Sequence, residues 1–158
     1  MPFAHSPPIR GDAMSKVLYT AKATVTGGRA NGRGRTDDGA LDVQMRSPRE
    51  MGGEGGGTNP EQLFAVGYAA CFEGALGVVA RRERVNLGDV SILSQVSLIA
   101  GDDRRFTVSV RLDVSLPQVQ DAAEAARIVE AAHQVCPYSN ATRGNIEVTL
   151  TANGRAVG

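Results

Sequence analysis

Residues 59–84 constrain the fold more than any other part of the chain. Asn59 is a good N-cap, Pro60 suits the first helical position, and Gln62 is placed to reach back as a capping-box partner. The run that follows, "GYAACFEGALGVVA" over 67–80, is apolar or small on every side of a helix. A helix without a polar face has to be buried. The rest of the chain must therefore be laid around one helix over 60–84, with Cys71 in its middle.

The flanking segments supply the cover. "VLYTAKATVT" (17–26) and "ALDVQM" (40–45) alternate loosely and read as a hairpin, joined by the glycine-rich loop "GGRANGRGRTDDG" that carries Arg29, Arg33 and Arg35. "VSILSQVSLIA" (90–100) and "RFTVSVRLDVSL" (105–116) alternate with period two across the turn "GDDR", a second hairpin ended by Pro117. "DAAEAARIVEAAHQVC" is an amphipathic helix with Ile128, Ala132 and Val135 on one side and Glu124, Arg127 and Glu130 toward water. Pro137 disfavours helix at the residue before it, so Cys136 falls at a helix break. "PYSNATRG" reads as a turn and "NIEVTLTA" as the last strand. Strand pair, long helix, strand pair, helix, strand is an α+β order with mostly antiparallel sheet, not a βαβ alternation.

Several function classes are excluded early. With 17 basic and 17 acidic residues in 158, the chain has no charge imbalance to attract nucleic acid or an anionic membrane. The longest apolar run read from the sequence falls short of the ~20 residues of a spanning helix. Residues 1–13 lack an apolar signal core and are expected to be a disordered extension, with Met14 offering a second start and 14–158 forming one domain. A cytoplasmic location is the expectation, and there two cysteines do not form a permanent structural disulfide. Two Cys and two His without C-x-x-C or H-x-x-x-H spacing make a poor zinc set, so no metal is expected. "SPREMGGEGGGTNP" lacks the G-K-[ST] ending of a phosphate loop and does not match G-x-G-x-x-G, which argues against a nucleotide. Aromatics are 4% of the chain and Trp is absent, so the core is aliphatic. One protomer then buries little by itself, and dimerisation would help.

What remains open is the role of the two thiols. Cys71 can be a buried packing residue or a nucleophile, and burial raises a thiol pKa unless a fixed cation stands nearby. Cys136, at its helix break, is 65 positions away, so a bond between the two would tie one helix to the end of the other. Glu61 sits in the first helical turn, where a carboxylate also simply stabilises the helix end. The arginine loop reads equally as a solvated hairpin loop. His133, one turn before Cys136, can pair with it or lie at the surface.

"TNPEQLFAVGYAACF" and "HQVCPYSNATRGN", with "LYTAKATVTGGR" and "GALDVQMRSPREMGG", resemble the signature stretches of the organic hydroperoxide resistance proteins, the Ohr branch of the Ohr/OsmC superfamily. The resemblance runs from Met14 to the last strand and excludes 1–13. It implies an intertwined homodimer with active sites at the subunit interface and a thiol peroxidase activity on organic hydroperoxides. Carried over by motif, Cys71 is the attacking cysteine, Cys136 the resolving one, Arg29 the guanidinium that lowers the Cys71 pKa, and Glu61 its carboxylate partner. The loop "GGRANGRGR" is one residue longer than is usual in the family, which makes Arg33 the substitute for Arg29. Leu63, Phe64 and Val66 would offer apolar contact to the substrate. No bound cofactor is expected; a dithiol reductant is, with dihydrolipoyl groups on a lipoylated protein as the implied electron donor. The alternative is a redox-sensing or ligand-binding protein of the same fold that does not turn over.

Overall fold

The N-cap at Asn59 forms as the sequence predicts: its side chain accepts the Gln62 N–H at 2.9 Å. The Gln62 side chain, however, turns to the Thr58 hydroxyl at 2.9 Å rather than completing a capping box. The structure is a computed structural model that describes residues 15–158; the expected disordered extension lies outside the described residues. In chain order the elements are β1 (Ala23–Thr26), α1 (Gly28–Asn31), β2 (Arg33–Thr36), β3 (Asp42–Gln44), α2 (Pro60–Glu83), β4 (Ser91–Ala100), β5 (Phe106–Ser115), α3 (Ala122–Val135), α4 (Pro137–Thr142), β6 (Val148–Ala152) and β7 (Arg155–Val157), with a 3-10 turn at Arg49–Met51 before α2.

These elements form an α+β fold with two sheets, β1-β2-β3 and β4-β5-β6-β7. Among the named strands all pairings are antiparallel except β5 with β6, which run parallel because α3 and α4 carry the chain across between them. The core lies between α2, α3 and the inner face of the larger sheet. Tyr68, Phe72, Ala75, Leu76 and Val79 recur at helical spacing along α2 and are buried. They meet Val110, Leu112 and Val114 of β5, Ala125, Ile128, Val129 and Ala132 of α3, and Leu150 of β6. Arg127 of α3 clamps the far end, donating to Glu83 at 2.9 and 2.8 Å and to Glu124 at 3.0 and 2.7 Å.

Four expectations change. Residues 17–22 carry no strand and are exposed, so the first strand shrinks to β1. The glycine-rich loop contains the α1 turn and a strand, β2, whose backbone pairs with both β1 and β3 although its sequence "RGRT" has no apolar alternation. The "PYSNATRG" turn is the short helix α4, with Pro137 at its first position, and a further strand, β7, closes the sheet. Lastly, α2 at 24 residues is long and apolar enough to cross a bilayer by length and composition, because the few polar residues along it fall within what such a segment tolerates. In this fold one face of α2 is core. Val66, Ala70 and Gly74, on the rest of its surface, are exposed in the single chain.

Candidate active site

The two cysteines come together. Cys71 is half-buried on α2; Cys136 is fully buried as the N-cap of α4, and the two free thiols lie near enough for Cys136 to act on the Cys71 pKa. Burial pushes the Cys71 thiol above its ordinary pKa, the Tyr138 backbone N–H donating to its sulfur pulls it down, and the Cys136 thiol pushes it up again. The net direction is up. The sequence reading has Arg29 lowering this pKa, and within the chain it does not act on the sulfur. The reason is placement. Arg29 faces Glu61, which lies ten residues before Cys71 on the same helix, about 15 Å along its axis.

Arg29 and Glu61 do pair. Arg29 Nη2 donates to Glu61 Oε1 at 2.9 Å and Nη1 to Oε2 at 3.4 Å, a fork-to-carboxylate contact that fixes the plane of the guanidinium. The α1 turn makes this possible. Gly27 and Gly28 adopt left-handed φ of 75° and 69°, and a Cβ on Gly32 would stand 2.1 Å from the Gly28 carbonyl oxygen. The turn therefore closes tightly and projects Arg29 toward the start of α2. Arg33 is committed elsewhere: its Nε and Nη2 donate to Asp42 at 2.7 and 2.5 Å across the small sheet. The loop leaves Arg29, not Arg33, beside Glu61.

Among the apolar candidates, Leu63 and Phe64 are half-buried and Val66 is 71% exposed. Phe64 belongs to an aromatic cluster with Tyr68 and Tyr138, ring centroids 5.6–6.0 Å apart. Gly67 admits Tyr138, whose hydroxyl would lie 3.2 Å from a Cβ there. Tyr138 is a residue that sequence reasoning missed. Its signal was Pro137 after an N-capping position, which predicts a helix start and so an amide pointing toward the preceding residues.

His133 does not pair with Cys136. Its Nδ1 lies 2.8 Å from Ser139 Oγ, which is 3.0 Å from the Tyr68 hydroxyl, itself 3.0 Å from Thr142 Oγ1. Burial, then the Arg143 charge, hold the imidazole below its ordinary pKa against a smaller opposing effect of Glu130. In the sequence Ser139 and Thr142 read only as parts of a turn.

Comparison with known proteins gives the family. The family model described as OsmC-like protein matches residues 53–151. The chain belongs to the OsmC-like family, on the branch of the organic hydroperoxide resistance proteins. It is 57% identical over 140 residues to the organic hydroperoxide resistance protein of Xanthomonas axonopodis pv. citri, covering 86% of this chain and 95% of that protein. Among solved structures, an organic hydroperoxide resistance protein from Legionella pneumophila matches with a TM-score of 0.82 at 51% identity, covering 86% of this chain and 98% of that one. The organic hydroperoxide resistance protein OhrB of Bacillus subtilis matches at 0.77 and 47%, covering 85% and 98%.

Proposed function

We propose that this protein is a cysteine-based peroxidase that reduces organic hydroperoxides to alcohols in peroxide defence. The observation that carries the reading is the nearness of two free thiols 65 positions apart in sequence, one partly exposed and one buried. The Cys71 thiolate attacks the O–O bond, an alcohol leaves, and Cys71 becomes a sulfenic acid. Cys136 attacks that sulfur, water leaves, and a disulfide forms before further oxidation. A dithiol donor returns two electrons and two protons to both cysteines.

Among the described residues of one chain no cation acts on Cys71, and a homodimer would supply one. Glu61 and Cys71 are spaced symmetrically about Val66, the exposed apolar residue of α2. A two-fold dimer with antiparallel α2 helices would match the height of the Arg29–Glu61 pair of one copy to that of Cys71 of the other, and the long arginine side chain would reach round to the thiol. The same packing covers the exposed face of α2. The guanidinium would then lower the thiol pKa, hold the peroxide oxygens and stabilise the departing alkoxide, while Glu61 orients it. Phe64, Leu63 and the Tyr138 ring favour a substrate with apolar surface, worth about 25 cal/mol per Å² buried.

Cys136 has no exposed surface and Cys71 is only half-exposed, so a bulky folded reductant has poor access to a disulfide between them. A slim dithiol arm such as a dihydrolipoyl group on a lipoylated protein reaches it more readily and resolves its own mixed disulfide. Steady-state rates with cumene hydroperoxide, compared for dihydrolipoamide, glutathione and a thioredoxin system at matched thiol, test both claims. Fast lipoyl-driven turnover that hydrogen peroxide does not match is expected. Absence of Cys71-dependent turnover with every donor would refute the peroxidase and leave a non-catalytic redox sensor. A thioredoxin-driven rate equal to the lipoyl-driven one would refute the donor alone.

A further inference from the structure

Behind Cys136 lies a chain of polar side chains that the thiol chemistry itself does not use. Tyr68 and Ser139 have no exposed surface and Thr142 is 6% exposed. Four contacts link them: His133 Nδ1 to Ser139 Oγ at 2.8 Å, Ser139 Oγ to Tyr68 Oη at 3.0 Å, Tyr68 Oη to Thr142 Oγ1 at 3.0 Å, and Thr142 Oγ1 to the Ser139 carbonyl at 3.3 Å. Each hydroxyl carries one proton, so the three hydroxyls supply three protons for four contacts. The carbonyl supplies none. The fourth proton has to come from the imidazole, which places hydrogen on Nδ1 and runs the chain one way, from His133 through Ser139, Tyr68 and Thr142 to the carbonyl. Any other arrangement leaves one contact without a proton, in a site where an unmade hydrogen bond is costly.

The ends of this chain are anchored where the cysteines sit. Tyr68 is on α2, one turn before Cys71. Ser139 and Thr142 are on α4, whose N-cap is Cys136 and whose Tyr138 N–H favours the Cys71 thiolate. His133 brings in the last turn of α3. Closing a disulfide asks the two sulfurs to approach to about 2.05 Å, and a segment tied on both sides presents Cys136 without a search.

We propose that Tyr68, Ser139, Thr142 and His133 are positioning residues for disulfide closure, holding the Cys136–Tyr138 segment against Cys71 with His133 in its Nδ1–H form. The inference rests on the reading of Cys71 and Cys136 as a redox pair, but its test needs no peroxide. Diamide takes up the two electrons and two protons released as the S–S bond forms, so closure can be timed in the reduced full-length protein. Each variant's closure rate is divided by its own rate of Cys71 alkylation.

Tyr68→Phe and His133→Leu should close about tenfold more slowly. His133→Asn, whose amide N–H can take the place of Nδ1–H, should stay within about twofold of the parent. Wild-type closure in both Tyr68→Phe and His133→Leu would overturn the proposal, as would equal slowing in His133→Asn and His133→Leu. Nitrogen-15 NMR of the unaltered protein gives a reading independent of variant folding, with His133 assigned by its loss in His133→Asn. Protonated Nδ1 is expected, and a bare Nδ1 overturns the chain. If closure behaves as expected while no alkyl hydroperoxide is consumed, the peroxidase reading fails by itself.

Discussion

Glu61→Gln keeps the size of the side chain and one acceptor oxygen, and removes the charge that holds Arg29. The pair makes one good contact of 2.9 Å and a longer one of 3.4 Å, with the arginine side chain 40% exposed and the glutamate 16%. A desolvated charge-assisted pair would contribute about 1.5–3 kcal/mol. Solvent around the arginine brings this toward about 1 kcal/mol, or about fivefold in a rate that depends on the guanidinium being in place. Arg29→Ala removes the cation itself, and its loss should be larger, on the order of a hundredfold, as for other groups that stabilise a departing oxyanion. The decisive measurement is a double-mutant cycle on the rate of Cys71 oxidation by cumene hydroperoxide. Because Glu61 acts only through Arg29, the double variant should be no slower than Arg29→Ala alone. Losses that multiply would refute the reasoning, since Glu61 would then act on the reaction independently. A fully active Glu61→Gln would show that the pair does not organise the site.

Cys71→Ser should abolish the first turnover, whereas Cys136→Ser should consume about one peroxide per Cys71 and then die by over-oxidation, which mass spectrometry reads as sulfinic acid. The alkylation midpoint of Cys71 should move up in Arg29→Ala relative to the parent, and identical midpoints would remove the guanidinium from the thiol. In Arg29→Ala the burial that raises Cys71 is unopposed by that cation, so the fold favours the protonated thiol. That contribution to stability is complete below about pH 8.5 and is lost as pH climbs through the raised value, which thermal melts between neutral and alkaline pH can follow. Phe72→Ala, at a core position with no exposed surface, should cost about 3–5 kcal/mol in chemical denaturation.

Local chemistry makes much of this protein legible in its amino-acid order. The start of α2 is written in Asn59 and Pro60, and the start of α3 in Asp121, whose side chain accepts the Glu124 N–H at 2.8 Å. The β4–β5 hairpin follows from strict alternation across one turn, and its register pairs Ala100 with Phe106 around that turn. Caps, turns and periodicity involve residues within a few positions of each other, so the sequence carries them directly. The motifs around Cys71 and Cys136 carry the family resemblance from which their role as a redox pair is proposed.

Tertiary structure alone decides the rest. The segment "RGRT" is a strand only because β1 and β3 flank it, and backbone pairing leaves no trace in side-chain pattern. The choice between Arg29 and Arg33 turns on Asp42, which meets Arg33 across the small sheet and leaves the α1 turn to deliver Arg29 to Glu61. The family resemblance implies a cation beside Cys71 at a subunit interface, and one chain by itself does not place it there. Instead its surroundings within one chain are apolar burial, the Tyr138 amide and a second thiol, because side chains ten residues apart on one rigid helix cannot reach each other. Ser139, Tyr68 and Thr142 show the same limit: ordinary hydroxyl residues in sequence, they become one connected chain only when α4 folds back onto α2. Local sequence determines which elements form and which atoms can react. The long-range packing of those elements determines which charges and hydrogen bonds those atoms feel, because Coulomb and hydrogen-bond energies depend on distances that no local pattern encodes.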